Sequence, residues 1–539
     1  MFETRWDEKA AREFYDRGYW SKRTFFDILS EKARLHPTRE AFKDAYRSIT
    51  YAELKNEIER CAEVFRRNGI GKGDMVAVQL ANRIEFCVVV YSLELAGAIA
   101  NNLNPDFRSV EVDYILRFSN AKAYVCANEF KGFNYVPMIK SLQPSLPQLK
   151  LIATVDDNPD SGVISIKDEL RQVQPIAEGM RVRMSPDEVM RMAFTSGTTG
   201  NPKGVMHSFN TSLCTNEILS KNLSMTSEDV MLIFMPVGLN AGYLNTMQVI
   251  QAGARGVLME RFSPAEALAL IEKERVTIML SPPAGLVMMM QVPDFTSYDL
   301  KSLRVVLTGG ATTSVATLKA FSTSVGAKII DIYGMLESGY HTHTRLDDDF
   351  DKVIGSVGRV VEIMGLRIVD EGGRDVPDGE EGEILAYGPS VHLGYFNNPT
   401  ANAEAFLPGG WFRSGDLGFV VDDKKNLRIS GRRKEIINRG GKKFFPREIE
   451  EILFQHPKIL NVALVGIPDE RLGEKTCACV IPKPGVSIDL AEIIAFVKGK
   501  VADYKLPEQL VIRAGFPMTA TGKIRRPILA SEVAQGVNG

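Results

Sequence analysis

Thr195-Ser196-Gly197-Thr198-Thr199-Gly200-Asn201-Pro202-Lys203-Gly204 packs four hydroxyls, three glycines and one lysine directly behind the apolar Met192-Ala193-Phe194. Glycines let backbone N–H groups turn inward without a clashing Cβ, while hydroxyls and a lysine bring donors and positive charge to oxyanions. That chemistry suits nucleotide phosphates. The stretch is not Gly-x-x-x-x-Gly-Lys-Ser/Thr, because Asn201 follows Gly200 and Gly204 follows the lysine. Nor is it a Gly-x-Ser-x-Gly elbow, since Phe194 stands where the first glycine would be, which argues against Ser196 as a nucleophile. Taken alone, it is equally compatible with a polar surface turn.

Four further segments lie downstream: Tyr333-Gly334-Met335-Leu336-Glu337, Trp411-Phe412-Arg413-Ser414-Gly415-Asp416, Gly431-Arg432-Arg433-Lys434-Glu435 and Pro517-Met518-Thr519-Ala520-Thr521-Gly522-Lys523-Ile524. In this order and spacing the five resemble the motifs of the adenylate-forming superfamily of acyl-CoA and aryl-CoA ligases, aryl-acid-AMP ligases, carrier-protein adenylation domains and luciferases. The similarity covers nearly the whole chain, and its surroundings are most like aryl-acid-AMP ligases and alicyclic-acid CoA ligases. The resemblance implies an α/β fold: a large N-terminal adenylation body of packed α/β sheets (1–430), a hinge (431–434) and a smaller mobile α+β C-terminal domain (435–539) that carries a catalytic lysine.

It further implies ATP-dependent conversion of an aromatic, alicyclic or medium-chain carboxylic acid to an acyl-adenylate, followed by transfer to the thiol of coenzyme A. Catalysis would rest on Lys523, bridging the acid carboxylate and the α-phosphate, on Lys203 at the phosphates, and on Glu337 as the Mg2+ ligand. The nucleotide would lie against Thr195, Ser196, Gly197, Thr198, Thr199, Gly200, Lys203, Gly310, Ala311, Asp331, Ile332, Tyr333, Gly334, Met335, Leu336, Asp416, Arg432, Lys434 and Lys523. Tyr333 would stack on adenine and the Asp416 carboxylate would accept both ribose hydroxyls. The acid would meet Leu239, Asn240, Asn245, Gly309, Gly310, Met335 and Lys443, while Gly440-Gly441 would face the pantetheine arm after the small domain rotates about Lys434.

Three positions depart from the family pattern. Phe209 and Leu239 stand where many members have histidine, or at Leu239 also an aromatic residue, and Leu336 stands where many have threonine. The partners implied are a small acid, ATP and CoA. A carrier-protein phosphopantetheine is the alternative acceptor, and a homodimer is left open. A nucleotide-binding protein with feeble catalysis is the reading from another class; retention of Lys203, Glu337, Asp416, Arg432 and Lys523 argues against it.

Residues 1–50 read as an amphipathic lead-in anchored by Phe14, Tyr19-Trp20 and Phe25-Phe26, and Thr50 with Glu53 forms a capping box opening a helix. From Met75 onward strands and helices alternate, as in α/β folds. Residues 145–185 read as a surface crossover. The pattern places strands over Asp229–Pro236, Leu303–Leu307 and Lys328–Tyr333, with Asp416 in a turn. In the C-terminal part helices are expected at Glu448–Leu453 and Leu490–Val501, with strands at Asn461–Ile467 and Thr476–Ile481.

At 539 residues and 45% hydrophobic content the chain is long enough for at least two domains. Its 65 basic residues against 67 acidic ones give no electrostatic reason for a nucleic-acid or anionic-membrane partner. The charged start lacks the apolar core of a signal peptide, so a cytoplasmic protein is expected. Six scattered cysteines without Cys-x-x-Cys spacing suggest neither a disulfide framework nor zinc. His341 and His343, beside Asp347-Asp348-Asp349, read as part of a solvated loop in preference to a metal site.

Overall fold

Met75–Gln79 is an unbroken buried strand, and a strand covered on both faces belongs at the centre of a parallel sheet. Its neighbours are Ile99–Asn102 on one side and Ala123–Cys126 on the other, both parallel to it. The computed structural model describes residues 4–5, 7–157, 160–195, 202–310, 315–519 and 523–536, without the side chains of 316, 352 and 353. This seven-stranded sheet runs from Gly204–Ser208 through Val189–Phe194, Ile99–Asn102, Met75–Gln79, Ala123–Cys126 and Leu151–Thr154 to Ile164–Ser165. Only Gly204–Ser208 is antiparallel to its neighbour, so the proposed phosphate loop lies between two paired strands at the sheet edge.

A nine-stranded sheet has its parallel centre in Arg255–Leu258, Val230–Ile233, Ile278–Leu280, Val305–Gly309 and Lys328–Met335. Gly339–His343 then turns back antiparallel to Lys328–Met335, which sets Leu336 and Glu337 in the connection. Helices such as Ile84–Ala96 and Asn240–Ala252 contribute to one large core that spans residues of both sheets. An antiparallel sheet of Gly365–Val369, Gly382–Tyr387, Trp411–Val420 and Leu427–Arg432 carries the ribose-side candidates. The chain beyond it has its own core of Phe444, Ile449, Leu453, Leu464, Val480 and Ile493 around the strands Ile459–Asp469 and Gly473–Pro482.

Local chemistry explains the elements. Thr50 accepts from Glu53 N while Glu53 Oε2 accepts from Thr50 N at 2.8 Å, which satisfies the first turn of helix Tyr51–Arg67. Phe14, Trp20, Phe25 and Phe26 are buried as the lead-in docks. Three expectations are corrected. Residues 145–185 are not only a crossover: Leu151–Thr154 is a fully buried strand, a run too short to stand out among prolines and aspartates. His341 and His343 are fully buried on Gly339–His343, not in a solvated loop, and desolvation holds both imidazoles down to about 4. Asp416 lies within the strand Trp411–Val420, paired with Arg432, not in a turn. Among the described residues no group of three metal-ligating side chains occurs, and no helix is long and apolar enough to cross a membrane.

One buried carboxyl makes stability depend on pH. Glu94, on the helix Ile84–Ala96, accepts Phe26 N at 2.9 Å in the first turn of the helix Phe25–Leu35. Desolvation raises its pKa from 4.5 to about 8. Between those values the folded protein holds a proton that the unfolded chain has lost, so stability falls as pH rises, by at most about 1.4 kcal/mol per unit. Glu94→Gln is therefore expected to flatten the decline of the thermal midpoint between pH 5 and pH 8. An unchanged pH slope in the variant would remove Glu94 as its source.

Candidate active site

The two strands that flank the phosphate loop are locked to each other at its base. Thr195 N donates to Lys203 O at 3.0 Å, and Lys203 N donates to the Thr195 hydroxyl at 3.2 Å. Ser196, Gly197, Thr198, Thr199, Gly200 and Asn201 lie outside the described residues, as does Ala311. Lys203 emerges over the ring of Tyr395, with Nζ 4.7 Å from its centroid. The Tyr395 hydroxyl in turn donates to Glu337 Oε1 at 3.2 Å. Segment 393–396 is bonded along Gly204–Ser208, through Leu393 N to Met206 O and Phe396 N to Gly204 O, which seats that ring between lysine and carboxylate.

Glu337 forms no ion pair among the described residues, and loss of solvation raises its pKa while Lys203 and Arg432 act against that. A carboxylate in this condition suits a divalent cation. With no group of three metal-ligating side chains among the described residues, such a cation would be held by Glu337 together with substrate phosphates and water.

At the other end of the cleft Tyr333 donates to Asp416 Oδ2 at 2.8 Å, and Arg432 Nε stands 3.2 Å from Asp416 Oδ1. Ser414 fixes the carboxylate's backbone: Asp416 N donates to its hydroxyl, and that hydroxyl donates to Ile384 O. Asp416 raises the pKa of the Arg432 guanidinium. Asp331, one strand position before Ile332, is lifted by desolvation to about 7, against the pull of Arg447. Gly334 has no room for a side chain, since a Cβ there would meet Gly339 O at 2.2 Å.

Lys523 reaches this cleft from near the C-terminus. A Cβ on Gly310 would lie 3.4 Å from Lys523 Cε, an ordinary contact, and Gly310 has a φ of +79°, so it is conformation that favours glycine here. The ammonium's pKa is lowered first by desolvation and next by Arg432, while Asp416, Glu337 and Glu435 support the charge. Thr521 and Gly522 lie outside the described residues. Gly309 is far tighter, since a Cβ there would meet Ile332 O at 2.3 Å.

The acid-side candidates are divided. Leu239 is the N-cap of the helix Asn240–Ala252, and Asn240 opens it; both are half-buried. Asn245 is buried deeper in that helix, its amide donating to Met231 Sδ at 3.1 Å and not to Asn240. Met335 and Leu336 pack at the edge of a satellite core containing Val205, Ile218 and Tyr395. Lys443 sits on an exposed hairpin whose turn is Gly440 and Gly441, both at positive φ, and among the described residues no bond joins it to the Lys523 cluster. Lys434 lies in the single turn Arg433–Glu435 just after Leu427–Arg432.

Three neighbours were not singled out from the sequence as site residues. Tyr395 links Lys203 to Glu337. His207 Nε2 bonds Leu336 O at 2.7 Å, and burial together with Arg191 lowers its pKa to about 3, so it is neutral. Arg191 Nη2 donates to Asn240 Oδ1 at 2.7 Å. A histidine three residues past the loop was a signal in hand; nothing local marks Tyr395 or Arg191.

Residues 29–396 match the family described as AMP-binding enzyme, and 448–523 match the AMP-binding enzyme C-terminal domain. The chain is 34% identical over 532 residues to a medium-chain fatty-acid–CoA ligase of Escherichia coli (strain K12), covering 98% of this chain and 93% of that protein. It is 30% identical over 537 residues to a 2,3-dihydroxybenzoate-AMP ligase of Bacillus subtilis (strain 168), covering 99% and 98%. The solved structure of the anthranilate CoA ligase AuaEII in complex with anthranoyl-AMP superposes with a TM-score of 0.88 at 27% identity, covering 96% of this chain and 98% of that one.

Proposed function

The chain belongs to the family of AMP-binding enzymes and is an ATP-dependent, AMP-forming ligase of carboxylic acids; on that premise we propose that its acid is aromatic, alicyclic or of medium chain length and that the acyl group passes to the thiol of coenzyme A. One observation carries the assignment of the site: Lys523 stands against Gly310, in the field of Arg432, Asp416 and Glu337, although these residues lie far apart in sequence. Convergence of two lysines, an arginine and two carboxylates on one cleft is what joining two anions demands.

In the first half-reaction a carboxylate oxygen of the acid attacks the α-phosphorus and the bond to pyrophosphate breaks. Lys523 draws the two anions together, and Lys203 with the phosphate-loop donors takes up the charge gathering on pyrophosphate. Asp416 releases Tyr333 and Arg432 enough to accept the ribose hydroxyls, and Tyr333 offers its ring to adenine. Mg2+, when bound at Glu337, supplies electrostatic stabilisation of the phosphates. In the second half-reaction the thiol sulfur attacks the acyl carbon and AMP leaves. The same lysine then blocks one approach, so residues 435–539 act as a domain that swings about 431–434 and brings Gly440-Gly441 to the cleft.

Leu239, Gly309 and Met335 offer the acid mainly apolar surface, with Asn240 as the polar group beside Leu239. The relatives' own names, a medium-chain fatty acid in one and dihydroxybenzoate in another, bracket that range. The test is pyrophosphate release with ATP and Mg2+ across aromatic, alicyclic and C4 to C12 acids, each with and without CoA. Multiple turnovers that require CoA are expected. A single-turnover burst that CoA does not relieve would replace CoA by a carrier-protein thiol, and no acid-dependent release would reject the activity.

A further inference from the structure

Arg191 is 1% exposed, in the strand Val189–Phe194, and among the described residues no carboxylate pairs with it. The acidic groups that act on it are the phenols of Tyr243 and Tyr91, which burial keeps protonated, while the buried Glu94 acts on Tyr243. Its guanidinium lies 4.2 Å from the Tyr243 ring centroid, Nη2 donates to Asn240 Oδ1, and Nε is buried without an acceptor among the described residues. A buried cation without a counter-ion is costly to fold, and an apolar side chain of the same length would fit the surrounding core better. The arginine therefore calls for an anionic occupant.

Its position says where that occupant would come from. Asn240 opens the helix that follows the strand Val230–Ile233, at the end of a parallel strand where ligands gather. On the other side Arg191 is the cross-strand partner of His207, whose imidazole holds the carbonyl of Leu336, the residue before Glu337. Arg191 thus lies between Asn240, which its guanidinium bonds, and the strand that bears His207. Tyr243 also lines a small cavity with Met190, Phe209 and Glu94, and Arg191 is not part of that lining.

We propose that Arg191 is a specificity-determining residue that binds a second anionic oxygen of the acid, a carboxylate or an ionised phenol set apart from the carboxylate that is adenylated. This inference rests on the adenylation reading above. In the free protein Asn240 Oδ1 occupies the acceptor position that the substrate oxygen takes, and the half-buried amide turns aside as that oxygen arrives. The planar fork of the guanidinium then engages two oxygens or one oxygen twice.

The experiment compares matched acids in acid-dependent pyrophosphate release: α,ω-dicarboxylates against monocarboxylates of equal length, and hydroxybenzoates against benzoate. Wild-type enzyme is expected to favour at least one two-oxygen series by about 10-fold or more in kcat/KM. Arg191→Met is expected to bring that ratio down to about one, mainly through KM of the two-oxygen acid, and Arg191→Lys to leave an intermediate ratio, since charge survives but the fork does not. A wild-type enzyme with no such preference would overturn the proposal, whatever the variants do. So would variants in which both acids of a pair lose equally, the result of a purely structural arginine. If the wild-type enzyme releases no pyrophosphate with any acid, the adenylation reading itself fails, and this inference falls with it; activity on monocarboxylates alone rejects only the role of Arg191.

Discussion

Lys523→Ala is expected to slow acyl-adenylate formation by ~10²-fold or more, the loss that follows removal of one well-placed charge from a developing anionic transition state. The side chain reaches Gly310 and shares the cleft with Arg432, Asp416 and Glu337. Desolvation strengthens every interaction that its ammonium makes there. Two anions must approach each other in this step, and no other lysine among the described residues is placed against Gly310. The measurement is single-turnover adenylate formation, set beside thioester formation from acyl-adenylate supplied in place of acid and ATP. The second rate is expected to change far less, because in the proposed cycle the lysine leaves before the thiol attacks. Adenylate formed at the wild-type rate would remove Lys523 from the chemistry.

Lys434→Pro tests the other half of the cycle. Lys523 stands against Gly310; in the proposed cycle this arrangement serves adenylation, and thioester formation would need residues 435–539 to turn. Lys434 is exposed in the one-turn helix Arg433–Glu435, between Leu427–Arg432 and the strand Ile437–Arg439. Proline holds φ near −65° and removes the N–H, which suits a helical turn and forbids a large rotation there. Thioester formation is expected to fall by about 10²-fold, with adenylate formation slowed only a few-fold. The contact Arg447 Nη1 to Ile429 O at 2.6 Å crosses the junction and must break in such a rotation, whereas Arg526 Nε to Glu435 at 3.2 Å lies within 435–539 and travels with it. Equal losses in both half-reactions would reject the hinge at this residue.

Much of the architecture was legible because it is written in local patterns. The capping box at Thr50 and Glu53 is a contact between residues three apart, and the apolar residues from Met75 onward and over Leu303–Leu307 announce strands, which the structure places at Met75–Gln79 and Val305–Gly309. The strand Leu151–Thr154 was hidden for the opposite reason: four residues carry too little periodicity to be told from a loop, and only pairing with Ala123–Cys126 makes them a strand. His341 and His343 misled through their acidic neighbours, since local charge suggests solvent while the sheet buries both rings.

The sequence by itself determined the kind of chemistry: a loop of hydroxyls, glycines and Lys203 for phosphate, the segments bearing Glu337, Asp416, Arg432 and Lys523, and a near-neutral charge that points to no polyanionic partner. Side-chain types and short spacings carry that information, because the chemistry of a phosphate or a carboxylate depends on the groups offered to it. Tertiary structure alone decided which groups share one cleft. It set Tyr395 between Lys203 and Glu337, joined Tyr333 to Asp416, and brought Lys523 against Gly310, about two hundred residues away along the chain. It also left Arg191 buried with Asn240 as its hydrogen-bond partner and no carboxylate among the described residues, a fact invisible in a chain where an arginine between two methionines reads as an ordinary strand residue. Burial and long-range pairing are properties of the folded whole, and the field felt by a titrating or binding group is set by neighbours that the linear order keeps apart.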